Sequence, residues 1–149
     1  METLENNGVS QDQRLWAAGV HLGALLAAFF TSWMVGIAGA VVAICVWFVV
    51  RDRSPFAAEH AKECFNFNLS MFLYACLAVV AGLVFGVGAV IATVATLGLA
   101  ALVAAPVVLV LVLALAAIAV LWIVFGIIAA MKAYEGQPYR YPMTLRLLK

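Results

Sequence analysis

The placement of charge constrains this chain more than any motif does. Between Arg14 and Arg51 lie 36 residues with no charged side chain apart from the titratable His21, and between Glu63 and Lys132 lie 68 with none. A charge at the centre of a membrane-spanning helix costs roughly 2.5–3.5 kcal/mol on insertion scales, so charge-free runs of this length mark segments built for lipid. Composition agrees: 68% of the 149 residues are hydrophobic and 10% are charged, against roughly half and a quarter in soluble domains. A chain of this size hides only about two-thirds of its surface against itself, so the apolar remainder needs a lipid solvent. Eight basic and seven acidic residues leave a net charge of +1. That balance excludes a basic nucleic-acid binder and a polar disordered chain.

One membrane span takes about 20 residues, with a range of roughly 17–25. The first run is too long for one helix and holds two short ones, broken at Thr31-Ser32-Trp33 and predicted at 15–30 and 34–50. Arg14 and Arg51 then snorkel back to the headgroups. The second run has room for two long spans or three tight ones, and parity decides between them. With two, predicted at 67–90 and 106–131 and joined through 92–105, all eight Lys and Arg side chains share one side, which basic residues near span ends mark as cytoplasmic. The expected fold is therefore all-α and integral to the membrane. It is a single domain over 1–149 with four transmembrane helices in two hairpins, an amphipathic cytoplasmic elbow at 51–66 and a cytoplasmic tail at 132–149. Glu2, Glu5 and Asp12 precede the first arginine, the wrong sign for a cleaved signal peptide.

The segment 54–68 is the most specific stretch. Ser54-Pro55 is an N-cap and first-turn pair, and Glu59 lies early enough to favour the helix dipole. At helical spacing Phe56, His60, Glu63 and Phe67 share one side, while Glu59, Lys62, Glu63 and Asn66 form a polar strip. That pattern predicts a helix lying in the cytoplasmic interface. His60-Ala-Lys-Glu63-Cys64 is one letter from the H-x-x-E-H pattern of inverted zincins. A catalytic zinc needs a third protein ligand, and the only other histidine, His21, falls inside the first predicted span. No metal, cofactor or catalytic residue is expected, and His60 is expected to pair with a carboxylate or with headgroups. His21 is the intramembrane polar residue, for which a hydrogen bond to Asn66 or Asn68 is expected. Cys45, Cys64 and Cys76 form no CxxC pair and read as small apolar residues.

Helix contacts are better marked than chemistry. Gly19 and Gly23 form one G-x-x-x-G, Gly82 and Gly86 another, and Gly36 and Gly39 stand three apart. Small residues at such spacing let backbones approach closely, here within the four helices in preference to between copies. Pro106 begins or kinks the last span. After it, Gly136 reads as a helix stop, and Tyr134, Tyr139 and Tyr141 beside basic residues read as an interfacial belt able to contact anionic lipid.

The ordered set Arg14-Leu-Trp16 with His21-Leu, then Ser54-Pro55-Phe56, His60-Ala-Lys-Glu63 and Asn66-Phe67, then Lys132-Ala133 and Gly136-Gln-Pro-Tyr139-Arg140-Tyr141-Pro142 resembles the small bacterial MamF-like membrane proteins. These are distantly similar to the twenty-kilodalton Tic subunit of chloroplast protein import. The resemblance implies four transmembrane helices and places Pro55, Phe56, His60, Glu63, Asn66, Phe67, Tyr139 and Pro142 on a shared motif at the cytoplasmic face of a bacterial inner membrane. It carries no catalytic residue over. The expected function is a non-enzymatic scaffold or assembly factor acting by helix–helix association; the alternative is a component of a translocation or transport complex. Expected partners are the lipid bilayer and a second copy or other membrane proteins, with no nucleic acid.

Overall fold

A computed structural model describes residues 8–31 and 36–149. Among them are four helices and no strand: α1 (Gln11–Phe30), α2 (Ile37–Val50), α3 (Pro55–Ala95) and α4 (Ala101–Tyr134). At 1.5 Å per residue these run to about 30, 21, 62 and 51 Å. Helices α3 and α4 are long and apolar enough to cross a membrane.

Helix α1 begins before the predicted span because Ser10 and Gln13 form a capping box. The Ser10 N–H donates to Gln13 Oε1 at 3.0 Å and the Gln13 N–H to Ser10 Oγ at 3.3 Å, satisfying donors that a helix start otherwise leaves open. The helix stops at Thr31, whose hydroxyl donates to the Ala27 carbonyl at 2.7 Å. Ser32 and Trp33 of the expected break lie outside the described residues, as does Met34, where the second span was expected to begin. Helix α2 is described from Ile37, behind Gly36 at φ +91°, a conformation that favours glycine.

The segment expected as an elbow runs directly into the third span: Pro55–Ala95 is one unbroken helix, capped as expected by Ser54, whose Oγ accepts from the Ala57 N–H at 3.1 Å. One face of its first turns is buried by protein, while Pro55 and Glu59 on the other are exposed. Ala57 and Ala58 join Ala17, Ala18, Val50 and Ala133 in one cluster, and Ala61 and Cys64 join Val20, Ala24 and Ala43 in another. Alanines at these positions let four helix backbones close on one another. The joint expected at 92–105 is shorter. Helix α3 continues to Ala95, Leu97 and Gly98 take φ +51° and +95°, the Gly98 N–H donates to the Thr93 carbonyl at 2.8 Å, and α4 starts at Ala101 with Pro106 in its second turn.

The chain divides into two compact units. The first comprises Met1–Phe72 and Trp122–Lys149, and so contains α1, α2, the start of α3, the end of α4 and the tail. The second, Leu73–Leu121, is a helical hairpin whose large side chains, Leu83, Val84, Val94 and Leu102 among them, are exposed. Apolar surface on that scale is stable against lipid or another apolar partner and not against water.

Close approach is built at Gly36 and Gly39, three apart, and at Gly126. A Cβ on Gly36 would meet Phe72 Cβ at 2.8 Å, one on Gly39 would overlap the Asn68 amide and press on the Ala24 carbonyl at 3.2 Å, and one on Gly126 would meet Leu25 at 2.9 Å. The two G-x-x-x-G pairs behave differently. Nothing lies within 4 Å of such a Cβ at Gly19, Gly82 or Gly86, and Gly23 meets only Val42 at an ordinary 3.5 Å. Among the described residues, then, only Gly23 of these four serves the expected packing within the chain, against α2; the other three have no close neighbour. Gly39→Ala should lower stability by about 1–3 kcal/mol through overpacking, whereas Gly19→Ala should leave it unchanged or slightly raised. Thermal unfolding of both variants in one detergent checks this, and equal midpoints would contradict the close contact at Gly39.

A histidine pair closed by the tail

His21 projects from α1 and His60 from the second turn of α3, and the two rings meet edge-on inside the first unit. His21 Nε2 stands 3.0 Å from His60 Nδ1, with ring centroids 5.2 Å apart and planes at 78°. The segment after α4 completes the arrangement. Gly136 at φ +74° ends the helix, and the Gln137 N–H returns to the Lys132 carbonyl at 2.9 Å, the glycine-stop geometry that the sequence suggested. The chain then lies along α3. His60 Nε2 is 3.2 Å from the Gln137 carbonyl, and the Tyr141 hydroxyl is 2.9 Å from His21 Nδ1.

These contacts assign the protons. A carbonyl can only accept, so His60 Nε2 carries hydrogen; in a neutral ring its Nδ1 is then an acceptor, which makes His21 Nε2 a donor and His21 Nδ1 the acceptor for Tyr141. One directed chain results, from the Tyr141 hydroxyl through His21 and His60 to the Gln137 carbonyl. Two facing N–H groups at 3.0 Å would repel, so the two rings cannot both be charged in this geometry. Burial, with Cys64, Tyr139 and the Glu63 carboxylate nearby, pushes the Tyr141 phenol well above its usual 10, which keeps the donor end protonated at neutral pH. Tyr141 also stacks on Phe67 at 3.9 Å with the planes 9° apart.

The same face of α3 holds the rest of the tail by its backbone. Glu63 Oε2 accepts from the Tyr141 N–H at 3.3 Å, and its Oε1 pairs with Arg146 Nε at 3.3 Å. Asn66 acts as a substitute peptide unit. Its Oδ1 accepts from the Leu147 and Leu148 N–H groups at 3.0 and 2.8 Å, and its Nδ2 donates to the Leu148 carbonyl at 2.8 Å. One turn on, Ser70 Oγ accepts from the Leu145 N–H at 2.8 Å. Asn68 faces elsewhere, accepting from Trp122 Nε1 at 2.9 Å and donating to the Cys64 carbonyl at 2.8 Å. Among the described residues no buried side-chain nitrogen or oxygen lacks a partner.

The structure thus gathers most of the motif that the resemblance marked. His60, Glu63, Asn66 and Phe67 form the α3 side of the contact, Phe56 lies against His60 with centroids 4.7 Å apart, and Tyr139 packs edge-on to Tyr141 at 5.1 Å. Pro55 is the first residue of α3, and Pro142 is exposed, its carbonyl accepting from the Thr144 hydroxyl at 3.3 Å. His21 is bound by His60 and Tyr141, not by Asn66 or Asn68, because the tail and Trp122 have taken both amides. The sequence does not place Gln137, Ser70, Trp122 or Arg146 at this site, and Tyr141, which stands in the C-terminal motif, reads there as part of a membrane belt.

The H-x-x-E-C match dissolves in three dimensions. Both nitrogens of His60 are engaged, Glu63 is held by the tail, and Cys64 Sγ faces the Val20 carbonyl at 3.7 Å and Asn68 Nδ2 at 3.4 Å. Among the described residues no group of three or more His, Cys, Asp or Glu could hold a metal ion. What the arrangement does chemically is bind one segment of the chain to another.

A family model, described as that of the magnetosome magnetite crystal formation protein family, matches residues 12–148. The chain belongs to this MamF/MmsF family. The match spans both histidines, the whole of α3 and all but the last residue of the tail, so the latch lies inside the family region of this MamF/MmsF protein. Neither the curated proteins nor the solved structures contain a match.

The buried phenol gives a check on the site of this MamF/MmsF chain. As pH rises past 10, Tyr141 should ionise last, since its pKa is raised in the fold. Its contribution to stability is intact below the unfolded value near 10 and is lost as pH climbs through the folded value. A late step in tyrosinate absorbance, coincident with loss of helix and absent in Tyr141→Phe, is expected. A Tyr141 that titrates at its ordinary value would contradict the burial.

Proposed function

We propose that this chain is a non-enzymatic scaffold or assembly factor of a bacterial inner membrane, acting by helix–helix association with copies of itself or with other membrane proteins. In this reading all four helices are membrane-embedded, both ends lie in the cytoplasm, and the lipid bilayer is the primary partner. The one-sided distribution of Lys and Arg supports that orientation. One observation carries the functional reading: a Cβ at Gly19, Gly82 or Gly86 would meet no described atom within 4 Å, so these small-residue faces have room for a close neighbour, and such faces associate helices where lipid offers no hydrophobic drive. The bonded histidine and tail network holds α1, which carries the Gly19 face. No contact in the fold favours translocation over this reading.

Native mass measurement in mild detergent, with crosslinking in membranes, tests it. Oligomers or co-purifying membrane partners are expected for the wild type and should fall several-fold in a Gly82→Leu, Gly86→Leu double variant. A strictly monomeric protein with no partner overturns the proposal.

A further inference from the structure

Beside the latch the first unit contains an open cleft of about 320 Å³. Phe56, Glu59, His60 and Glu63 line it from α3, and Pro138, Tyr139 and Arg140 from the tail; His60 and Glu63 are already bonded within the latch. Its size lies at the lower end of ligand sites, which run to roughly 300–1,000 Å³, and so suits a headgroup-sized molecule and not a larger one. Its walls differ in chemistry. Phe56 and Tyr139 are held in place by their ring contacts to His60 and Tyr141. Arg140 is exposed and, among the described residues, has no ion-pair or hydrogen-bond partner. Glu59 is exposed and pairs only with Lys62, one turn on and partly buried; its own exposure leaves the carboxylate open to a further cation.

The height of the cleft points to its ligand. Its inner end is His60, bonded to His21, but its tail wall starts just after Gly136, which packs so closely on the Arg14 side chain that a Cβ there would meet Nε at 2.9 Å, and Arg14 stands beside the half-exposed Leu15 and Trp16. An arginine and a tryptophan at the start of an otherwise apolar helix mark the headgroup layer. A site there that offers one free cation, one exchangeable carboxylate and two aromatic faces suits a molecule with a negative and a positive group close together.

We infer that this cleft binds the headgroup of an ethanolamine-type phospholipid, with Arg140 on the phosphate and Glu59 on the ammonium. Arginine recognises phosphate oxygens through its fork of N–H donors. A primary ammonium donates hydrogen bonds to Glu59 and is attracted by the aromatic faces. A glycerol headgroup would bring the same phosphate to Arg140 but no ammonium of its own to offset Glu59 and Glu63. A choline headgroup fits the aromatic walls but has no N–H to give. The inference uses the membrane placement proposed above and not self-association, so a protein that proves monomeric leaves it intact.

The test is native mass measurement of the full chain from micelles doped in turn with phosphatidylethanolamine, phosphatidylglycerol and phosphatidylcholine. Retention of the ethanolamine lipid about tenfold over the glycerol lipid is expected, equivalent to ~1.4 kcal/mol. Arg140→Gln should lower retention of the ethanolamine lipid by a similar factor. Glu59→Gln should collapse the preference while some binding persists. Both side chains are exposed, so circular dichroism should show unchanged helix content in each variant. Wild type that holds phosphatidylglycerol as well as phosphatidylethanolamine, or Arg140→Gln that binds like wild type, overturns the assignment. Glycerophosphoethanolamine in free solution should bind more weakly than the lipid; binding as tight as the lipid's would make the ligand a soluble phosphodiester and would also overturn it.

Discussion

Replacing His21 with alanine should lower the unfolding free energy by about 3–5 kcal/mol, a large share of the roughly 5–15 kcal/mol typical of a folded protein. Two costs add. The ring is fully enclosed, so its loss leaves a cavity between α1 and α3. Removing it also strands His60 Nδ1 and the Tyr141 hydroxyl, and a buried polar group left unpaired costs about 1–3 kcal/mol. His60→Ala and the double variant complete a cycle, in which a coupling of about 0.5–3 kcal/mol is expected for residues in direct contact. Denaturation in detergent with a helix readout measures all three. A loss below about 1 kcal/mol for His21→Ala, or strict additivity of the pair, would refute the directed hydrogen-bond chain.

The second large effect is expected at Asn66. Alanine there removes three hydrogen bonds to the backbone of Leu147 and Leu148, at an expected cost of about 2–4 kcal/mol. It should also unseat the end of the tail. Limited trypsin treatment then reads the effect directly, because Arg140 and Arg146 lie in that segment. Cleavage should be several-fold faster in Asn66→Ala than in wild type. Asn66→Asp should fall between them, since its carboxylate still accepts from both amides but cannot donate to the Leu148 carbonyl. Identical cleavage rates in Asn66→Ala and wild type would mean that Asn66 does not hold the tail.

The helices and their apolar character were legible because charge placement is a coarse signal that survives every detail of packing. Arg14, Arg51, Glu63 and Lys132 bracket the apolar runs whatever the helices touch. The start of α3 was misread for a definite reason. A strip containing Glu59, Lys62, Glu63 and Asn66 is consistent with a solvated face, and nothing local reveals that Glu63 and Asn66 are buried while Glu59 is exposed. Their partners lie about 80 residues away in a segment without helical or strand periodicity. The latch joins side chains to backbone, and backbone groups leave no trace in residue identity. His21 was legible as a residue needing a partner, but which partner depended on that same segment. Glycine spacing showed a similar limit: it marks where a neighbour can come close, not whether the neighbour belongs to the same chain.

The latch also orders events during synthesis. Asn66 leaves the ribosome 82 residues before its partner Leu148, an interval of about 4–16 s at roughly 5–20 residues per second. Through that interval Glu63, Asn66 and Ser70 must stay hydrated or borrow other partners while α3 and α4 are already available to lipid. A nascent chain halted before residue 141 would expose a carboxylate, an amide and a hydroxyl on one helix face.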